Sequence, residues 1–251
     1  MRSIPDEVPV VCVAVGHRYP VEYVWKLESM LRRHMPVPFS LTCVVDQPRK
    51  LPPSVRTVDA SNWGLRREGM RVTTDKLGLF EPGRLPFDEF LYLDTTLVIQ
   101  RDMRSLLEFG FGREEELVVV RDWNYDAYNT CVMRIRTGGL LTGIPKAFRE
   151  GVTYPWRNPG DQDYVTAYVR DKGLESQVAI WPDDMIVSYK NAREVHRTDP
   201  DAAYRMLQPG TIVKFYGKTK MDQLLNPIYR TFKIQGPDAR FWVRELRDHW
   251  R

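Results

Sequence analysis

Residues 90–99 read Phe90-Leu91-Tyr92-Leu93-Asp94-Thr95-Thr96-Leu97-Val98-Ile99. Apolar side chains fill both alternating sets of positions over Phe90 to Val98, which predicts a strand buried on both faces, as in a parallel sheet covered by helices. The interior of such a strand does not tolerate an unpaired carboxylate, so Asp94 needs a partner or an exit from the sheet. In an open parallel sheet ligands collect at the carboxyl ends of strands. Asp94 there fits three readings: it holds a divalent metal bound to phosphates, accepts hydrogen bonds from ribose hydroxyls, or caps the following turn.

The flanking sequence supplies the rest of an α/β fold. Val8 to Val15 is a continuous apolar run ending at Gly16. Pro20 opens a helix carrying Val21, Val24, Leu27, Leu31 and Met35 at helical spacing, with Arg32, Arg33 and His34 in its last turn, where positive charge suits the dipole. Phe39 to Val45 is the next strand, and a β-α-β opening of this length predicts a crossover onto a parallel sheet. A helix containing Met70 to Phe80 precedes Pro82-Gly83, and further strands are expected at Leu117 to Val120, Cys131 to Ile135, Val178 to Trp181 and Ile212 to Phe215. A helix starts near Pro159-Gly160-Asp161 with Val165, Tyr168 and Val169 on one face. Residues 238–251 read as an amphipathic helix, with Phe241, Trp242, Leu246 and Trp250 packed onto the same domain.

At 251 residues, one α/β domain over 1–251 is expected. Hydrophobic residues at 43% and charged residues at 28% place the chain among folded proteins. The formal charge of +4 is dispersed, which argues against a nucleic-acid footprint. Cys12, Cys43 and Cys131 lie in apolar runs, the pattern of buried thiols in a reducing compartment. With no secretory leader and no membrane-length apolar run, a cytoplasmic protein is expected.

Polar groups after strands mark the candidate chemistry. Gly16-His17-Arg18-Tyr19 offers close backbone approach and a ring that can stack on a nucleobase, or a simple strand-helix turn. Asn124 to Asn129 is rich in groups that donate and accept, as sugar hydroxyls require, and is equally suited to a turn. Asp161-Gln162 presents a second polar edge, with Asp161 either in the site or capping its helix. Phe215-Tyr216-Gly217-Lys218-Thr219-Lys220 places cations around a glycine, suited to phosphate oxygens or to an ordinary exposed turn. Trp63, Trp123, Trp156 and Trp181 are candidates for stacking on a sugar or for the core.

Read in order, Asp75-Lys76-Leu77-Gly78-Leu79-Phe80, Tyr92-Leu93-Asp94-Thr95-Thr96, Tyr128-Asn129-Thr130-Cys131-Val132-Met133, Asp161-Gln162 and Lys214-Phe215-Tyr216-Gly217-Lys218-Thr219-Lys220 form a series over residues 8 to 222. The series resembles glycosyltransferase family eight, GT-A fold enzymes that include glycogenin and bacterial galactosyl- and glucosyltransferases. The resemblance implies a Rossmann-like, mixed and mainly parallel sheet flanked by helices. It also implies transfer of a sugar from a nucleotide-diphosphate donor, a UDP-sugar, to a carbohydrate or glycoconjugate acceptor with retention of configuration.

By the same resemblance, Val15, Gly16 and Tyr19 line the nucleobase pocket, and Lys76, Asp94, Lys214, Gly217 and Lys220 bind the nucleotide. Asn129, Asp161 and Gln162 hold the donor sugar, with Asp161 and Gln162 as catalytic candidates. The family's second strand-end aspartate is Thr96 here and its metal-binding histidine is Lys214, so the DxD motif is degenerate. Mn2+ or Mg2+ is then held weakly by Asp94, or no metal is used and Lys214, Lys218 and Lys220 form a cationic clamp; Lys214 pointing away is the competing reading. A catalytically inactive nucleotide-sugar or glycan binder is the second functional reading. A sugar-nucleotide nucleotidyltransferase is the third, and the absence of a Gly-rich phosphate loop after the first strand counts against it.

Overall fold

Val8–Ala14 (β1), Phe39–Val45 (β2) and Arg56–Asp59 (β3) run in parallel, with Cys12 opposite Cys43 and Val44 opposite Val58. Glu89–Leu93 (β4) joins the other edge of β1, also parallel. Leu97–Ile99 (β5) leaves this sheet, which continues through Leu117–Arg121 (β6), Tyr128–Arg136 (β7) and Val178–Ile180 (β8) in the order β3-β2-β1-β4-β7-β6-β8. β7 is antiparallel to both β4 and β6. A second, three-stranded sheet pairs β5 with Ile186–Ser188 (β9) and Ile212–Lys214 (β10) in the order β5-β10-β9. The computed structural model describes residues 2–17, 20–155, 157, 159–233 and 240–251.

Period-two alternation explains how both faces of β4 are covered. Leu91 and Leu93 pack with Val24, Leu27 and Leu31 of the helix Glu22–His34, whereas Phe90 and Tyr92 pack with Leu77, Phe80, Tyr164 and Val165 on the opposite face. Full burial of each such side chain contributes about 1.5–3 kcal/mol before chain entropy is set against it. The expected mixed α/β sheet is the one observed, and all three cysteines are buried free thiols. No helix among the described residues is long and apolar enough to cross a membrane.

Four expectations need correction. The run Phe90 to Val98 is two strands in two sheets, because the backbone changes partner at Asp94-Thr95-Thr96: Asp94 N–H donates to the Cys131 carbonyl at 2.8 Å, and Phe215 N–H to the Thr96 carbonyl at 3.0 Å. The segment Met70 to Phe80 forms a 3-10 helix over Val72–Phe80, where β-branched Val72, Thr73 and Thr74 open it and Gly78 lies against Trp63. The C-terminal helix is shorter, Val243–His249, and follows Trp242 in a left-handed conformation at φ 57°. Asp238, within its expected span, lies outside the described residues, and Phe241, Trp242, Leu246 and Trp250 are buried as expected. Asp161 does not cap its helix: Gly160 holds the cap position, Asp161 is the first residue of Asp161–Asp171, and its carboxylate is engaged elsewhere.

Candidate active site

The carboxyl ends of β1, β4 and β6 and the amino end of β7 open at one edge of the sheet, since β7 runs against its neighbours. They border a cleft of about 680 Å3, closed on another side by the start of the helix Asp161–Asp171 and the turn after β10. Val15, Lys76, Asp94, Asn129, Asp161, Gln162, Lys214, Gly217 and Lys220 all line it, although they are drawn from segments up to two hundred residues apart. Gly16 sits beside Val15 at φ +67°, with its N–H donated to Asp46 Oδ2 at 2.9 Å. Asp46 ends the run of β2 and also meets Arg66 at 3.0 Å, which bridges on to Asp75 at 2.5 Å. Tyr19 and Trp156 lie outside the described residues.

Asp94 is the hub of the cationic wall. Its Oδ1 accepts from the Tyr92 hydroxyl at 2.6 Å and from Lys76 Nζ at 2.8 Å. Its Oδ2 accepts from Lys214 Nζ at 2.5 Å, and the same ammonium donates to Thr96 Oγ1 at 2.6 Å. Lys214 thus points into the site, which removes the reading in which it faces away. Lys76 Nζ reaches Asp161 Oδ2 at 3.2 Å, and that oxygen also accepts from Thr130 Oγ1 at 2.5 Å. Lys76 is 8% and Lys214 4% exposed, so each ammonium depends on these carboxylates to offset desolvation.

The electrostatics follow from that geometry. Burial alone would raise the Asp94 carboxyl, but Lys214 and then Lys76 outweigh it and hold the group well below the usual carboxylate range. Burial works to lower the Lys76 ammonium, and Asp161 and Asp94 override it, so the group stays above the ordinary lysine range. Burial pushes the neighbouring Cys131 thiol up to about 12, which leaves it protonated and inert.

Facing this wall is an amide pair that the sequence reading found without its anchor. Asp122, one residue past β6, accepts from Asn129 Nδ2 at 2.9 Å and from Gln162 Nε2 at 2.8 Å, both on Oδ2. A carboxylate only accepts, so both amides must turn their NH2 toward it, and Gln162 is held with its carbonyl away from Asp122. The signal was the one used for Asp94, an acid immediately after an apolar strand. Arg157, also on the cleft, escapes the sequence reading because it sits in a loop with no apolar pattern around it, and Lys190 because the three-residue strand Ile186–Ser188 before it is too short to be read as one.

The turn after β10 has Tyr216 stacked on Trp123 at 5.6 Å with the rings 4° apart, and the Tyr216 hydroxyl donates to Asn191 Oδ1 at 2.5 Å. Gly217 takes φ +78°, a conformation that disfavours a side chain. Lys220 is 7% exposed and donates to the Phe215 carbonyl at 3.3 Å. Lys218 is exposed and does not line the cleft, so of the three lysines expected as a clamp Lys214 and Lys220 line it, and Lys76 lines it as well. Of the candidate tryptophans among the described residues, Trp63 and Trp181 are buried in the core and Trp123 stands near the cleft.

The residues at the position expected for a metal do not fit one. Both Asp94 oxygens already carry an ammonium, Thr96 accepts from Lys214, and no grouping of three His, Cys, Asp or Glu able to hold a metal occurs among the described residues. A hydroxyl and an ammonium are poor substitutes for carboxylate and imidazole ligands.

No family model and no curated protein matches the chain by sequence. Solved structures do match in fold. The apo-form glycosyltransferase GlyE of Streptococcus pneumoniae TIGR4 aligns at TM-score 0.56 and 12% identity, over 96% of this chain and 64% of its own. The galactosyltransferase LgtC, in complex with donor and acceptor sugar analogs, aligns at TM-score 0.54 and 12% identity over 95% of both chains. The bifunctional glycosyltransferase WbbM aligns at TM-score 0.56 and 13% identity over 97% of this chain and 51% of its own. This chain therefore spans nearly all of LgtC but about two thirds of GlyE and half of WbbM. The likeness is one of architecture: the chain has the GT-A fold.

Proposed function

We propose that the chain is a glycosyltransferase that moves a sugar from a nucleotide-diphosphate donor, a UDP-sugar, to a hydroxyl of a carbohydrate or glycoconjugate acceptor, retaining the anomeric configuration and depending weakly or not at all on a metal. One observation carries this reading. At the strand ends of a GT-A fold, Lys76, Lys214 and Lys220 line one cleft together with Asp94, Asn129, Asp161 and Gln162, and Lys76 ties Asp94 to Asp161. Ammonium groups suit a diphosphate, and the amide and carboxylate edge suits sugar hydroxyls.

In the reaction, the bond between the anomeric carbon and the diphosphate oxygen breaks with its electron pair going to the diphosphate. The acceptor oxygen bonds to the same carbon, and its proton passes to the departing phosphate oxygen. The lysines stabilise the charge that develops on the leaving group, which is where preorganised cations contribute most. Asn129, Asp161 and Gln162 orient the sugar, and the departing phosphate guides the hydroxyl to the same face, so no protein nucleophile is required. The three buried free thiols suit a reducing compartment such as the cytoplasm.

A thermal-shift screen with UDP-, GDP- and TDP-sugars tests the donor, because a ligand stabilises the fold that binds it. A rise in melting temperature with a UDP-sugar, together with slow release of free sugar, is expected. Binding without any hydrolysis or transfer would make the protein a nucleotide-sugar binder, and no response to any donor would remove the reading.

A further inference from the structure

The Lys214 ammonium has the coordination of an ion rather than of a surface lysine. It sits between Asp94 Oδ2 at 2.5 Å and Thr96 Oγ1 at 2.6 Å, on a side chain only 4% exposed. Its position is fixed by the backbone: Lys214 is the last residue of β10 and pairs with Leu97, the first residue of β5, so it stands directly beside the Asp94-Thr95-Thr96 connection. An ammonium carries three donors, and these two contacts leave one for the cleft that Lys214 lines. Lys76 holds the other Asp94 oxygen at 2.8 Å, so the carboxylate serves as a common counter-ion that positions two cations. Among the described residues, six cationic side chains line the cleft, of which Arg157 meets Asp163 at 2.8 Å and Lys190 meets Glu194 at 3.7 Å; Arg71, Lys76, Lys214 and Lys220 then stand against the three carboxylates of Asp94, Asp122 and Asp161, an excess of one. Such an excess is fitted to an anion that arrives without its own divalent cation.

We propose that Lys214 is a built-in cation, supplying beside the strand-end acid the positive charge that a divalent metal would supply to a donor diphosphate, and that Thr96 is the hydroxyl that lets it stand there. A carboxylate at position 96 would add charge that calls for a metal, whereas the threonine hydroxyl accepts one ammonium proton and adds none. Asp94 accordingly acts as the seat of the ammonium, and the diphosphate is bound and stabilised as a leaving group by Lys214 with Lys76 and Lys220 nearby. The inference rests on the transferase reading for the identity of the anion, but not for the identity of the cation.

Two measurements on the full chain separate those parts. Mn2+ alone, followed by its EPR signal, reports the cation position without any nucleotide. Wild type is expected to leave the signal of aqueous Mn2+ unchanged, and the double variant Thr96→Asp/Lys214→His to quench it by binding the ion. Calorimetry with UDP reports the anion: wild type should bind equally in EDTA and in Mn2+, Lys214→Met should bind about tenfold or more weakly in both, as expected for loss of a charged hydrogen bond. The folded double variant should bind UDP only when Mn2+ is present. If the double variant does not fold by circular dichroism, Lys214→Met still decides the matter. UDP binding by wild type that EDTA abolishes and Mn2+ restores overturns the proposal, as does Lys214→Met binding UDP as tightly as wild type, or a folded double variant that leaves the Mn2+ signal untouched. If Mn2+ is taken up by the double variant alone while no form binds UDP, the built-in cation stands and the transferase reading falls.

Discussion

At Asp122, a single oxygen accepts from both Asn129 and Gln162, and its other oxygen accepts from the Asn124 N–H at 3.0 Å. The carboxylate is thereby placed to hold two amides that line the cleft. Asp122→Ala frees both to rotate, which should lower kcat by roughly 10–100-fold, the cost of a misplaced group near the chemistry, while donor KM changes less because the lysine wall is intact. Asp122→Asn should recover part of the loss, since its amide oxygen can still accept from both side-chain amides while its NH2 no longer accepts from the Asn124 N–H. Steady-state kinetics with the donor found by screening would check this, and an unchanged kcat for Asp122→Ala would exclude the positioning role. Lys76 is different in kind, because it is buried between two acids at 2.8 and 3.2 Å. Lys76→Met leaves Asp94 and Asp161 short of a counter-charge, and breaking a buried pair this way costs about 3–5 kcal/mol. Urea denaturation should show that loss directly, and a variant as stable as wild type would mean the pair is solvent-compensated.

At the level of elements, what was legible depended on whether a pattern was local. β1, β2 and the helix Glu22–His34 could be read from their own residues, since continuous apolar runs and helical spacing are properties of short windows. The break between β4 and β5 could not, because the apolar run continues past Asp94-Thr95-Thr96 and only pairing with β10, more than a hundred residues later, draws β5 into another sheet. Asp94 and Asp161 are legible as polar residues at a strand end and a helix start, and Lys214 only through the family resemblance, but the contacts among them are not, for the same reason. Local spacing reads Val72–Phe80 as an ordinary helix, since the contact of Gly78 with Trp63 is also non-local. A Cβ at Gly78 would lie 2.2 Å from Trp63 Cε3. Gly78→Ala should therefore destabilise by about 1–3 kcal/mol through overpacking, despite alanine's better helical propensity. That lowers Tm by roughly 2–4 °C per kcal/mol for a chain of this size, and a Tm equal to or above wild type would show that Trp63 moves aside freely.

Across the whole molecule, two apolar cores clasp the large sheet from opposite faces and leave its strand ends to the cleft, so the Asp94, Lys76, Asp161 and Lys214 network sits at the edge of the cores, on the cleft. This placement sets a pH dependence whose sign can be worked out. The Asp94 carboxyl is lower in the folded than in the unfolded chain, burial being outweighed by Lys214 and Lys76. Its contribution is therefore complete above the unfolded value of about 3.9 and is lost as pH falls through the folded value. The Lys76 ammonium is higher in the folded chain, burial being outweighed by Asp161 and Asp94. Its contribution is complete below the unfolded value of about 10.4 and is lost as pH rises toward the folded one. Between these limits the network adds a flat increment of stability. Asp46, also lowered with burial outweighed by Gly16 N–H, Arg66 and Arg49, adds to the acid limb, so wild type alone does not isolate Asp94. The comparison that does is Asp94→Asn against wild type, with urea midpoints measured from about pH 2 to pH 7. The difference between the two should be largest near neutrality and shrink below about pH 4, as the unfolded wild-type chain takes up at position 94 the proton that the folded carboxyl still refuses. A difference that stays constant down to the lowest pH at which both fold would mean that Lys76 and Lys214 do not hold Asp94 ionised, and would remove the carboxylate as the seat of the cationic wall.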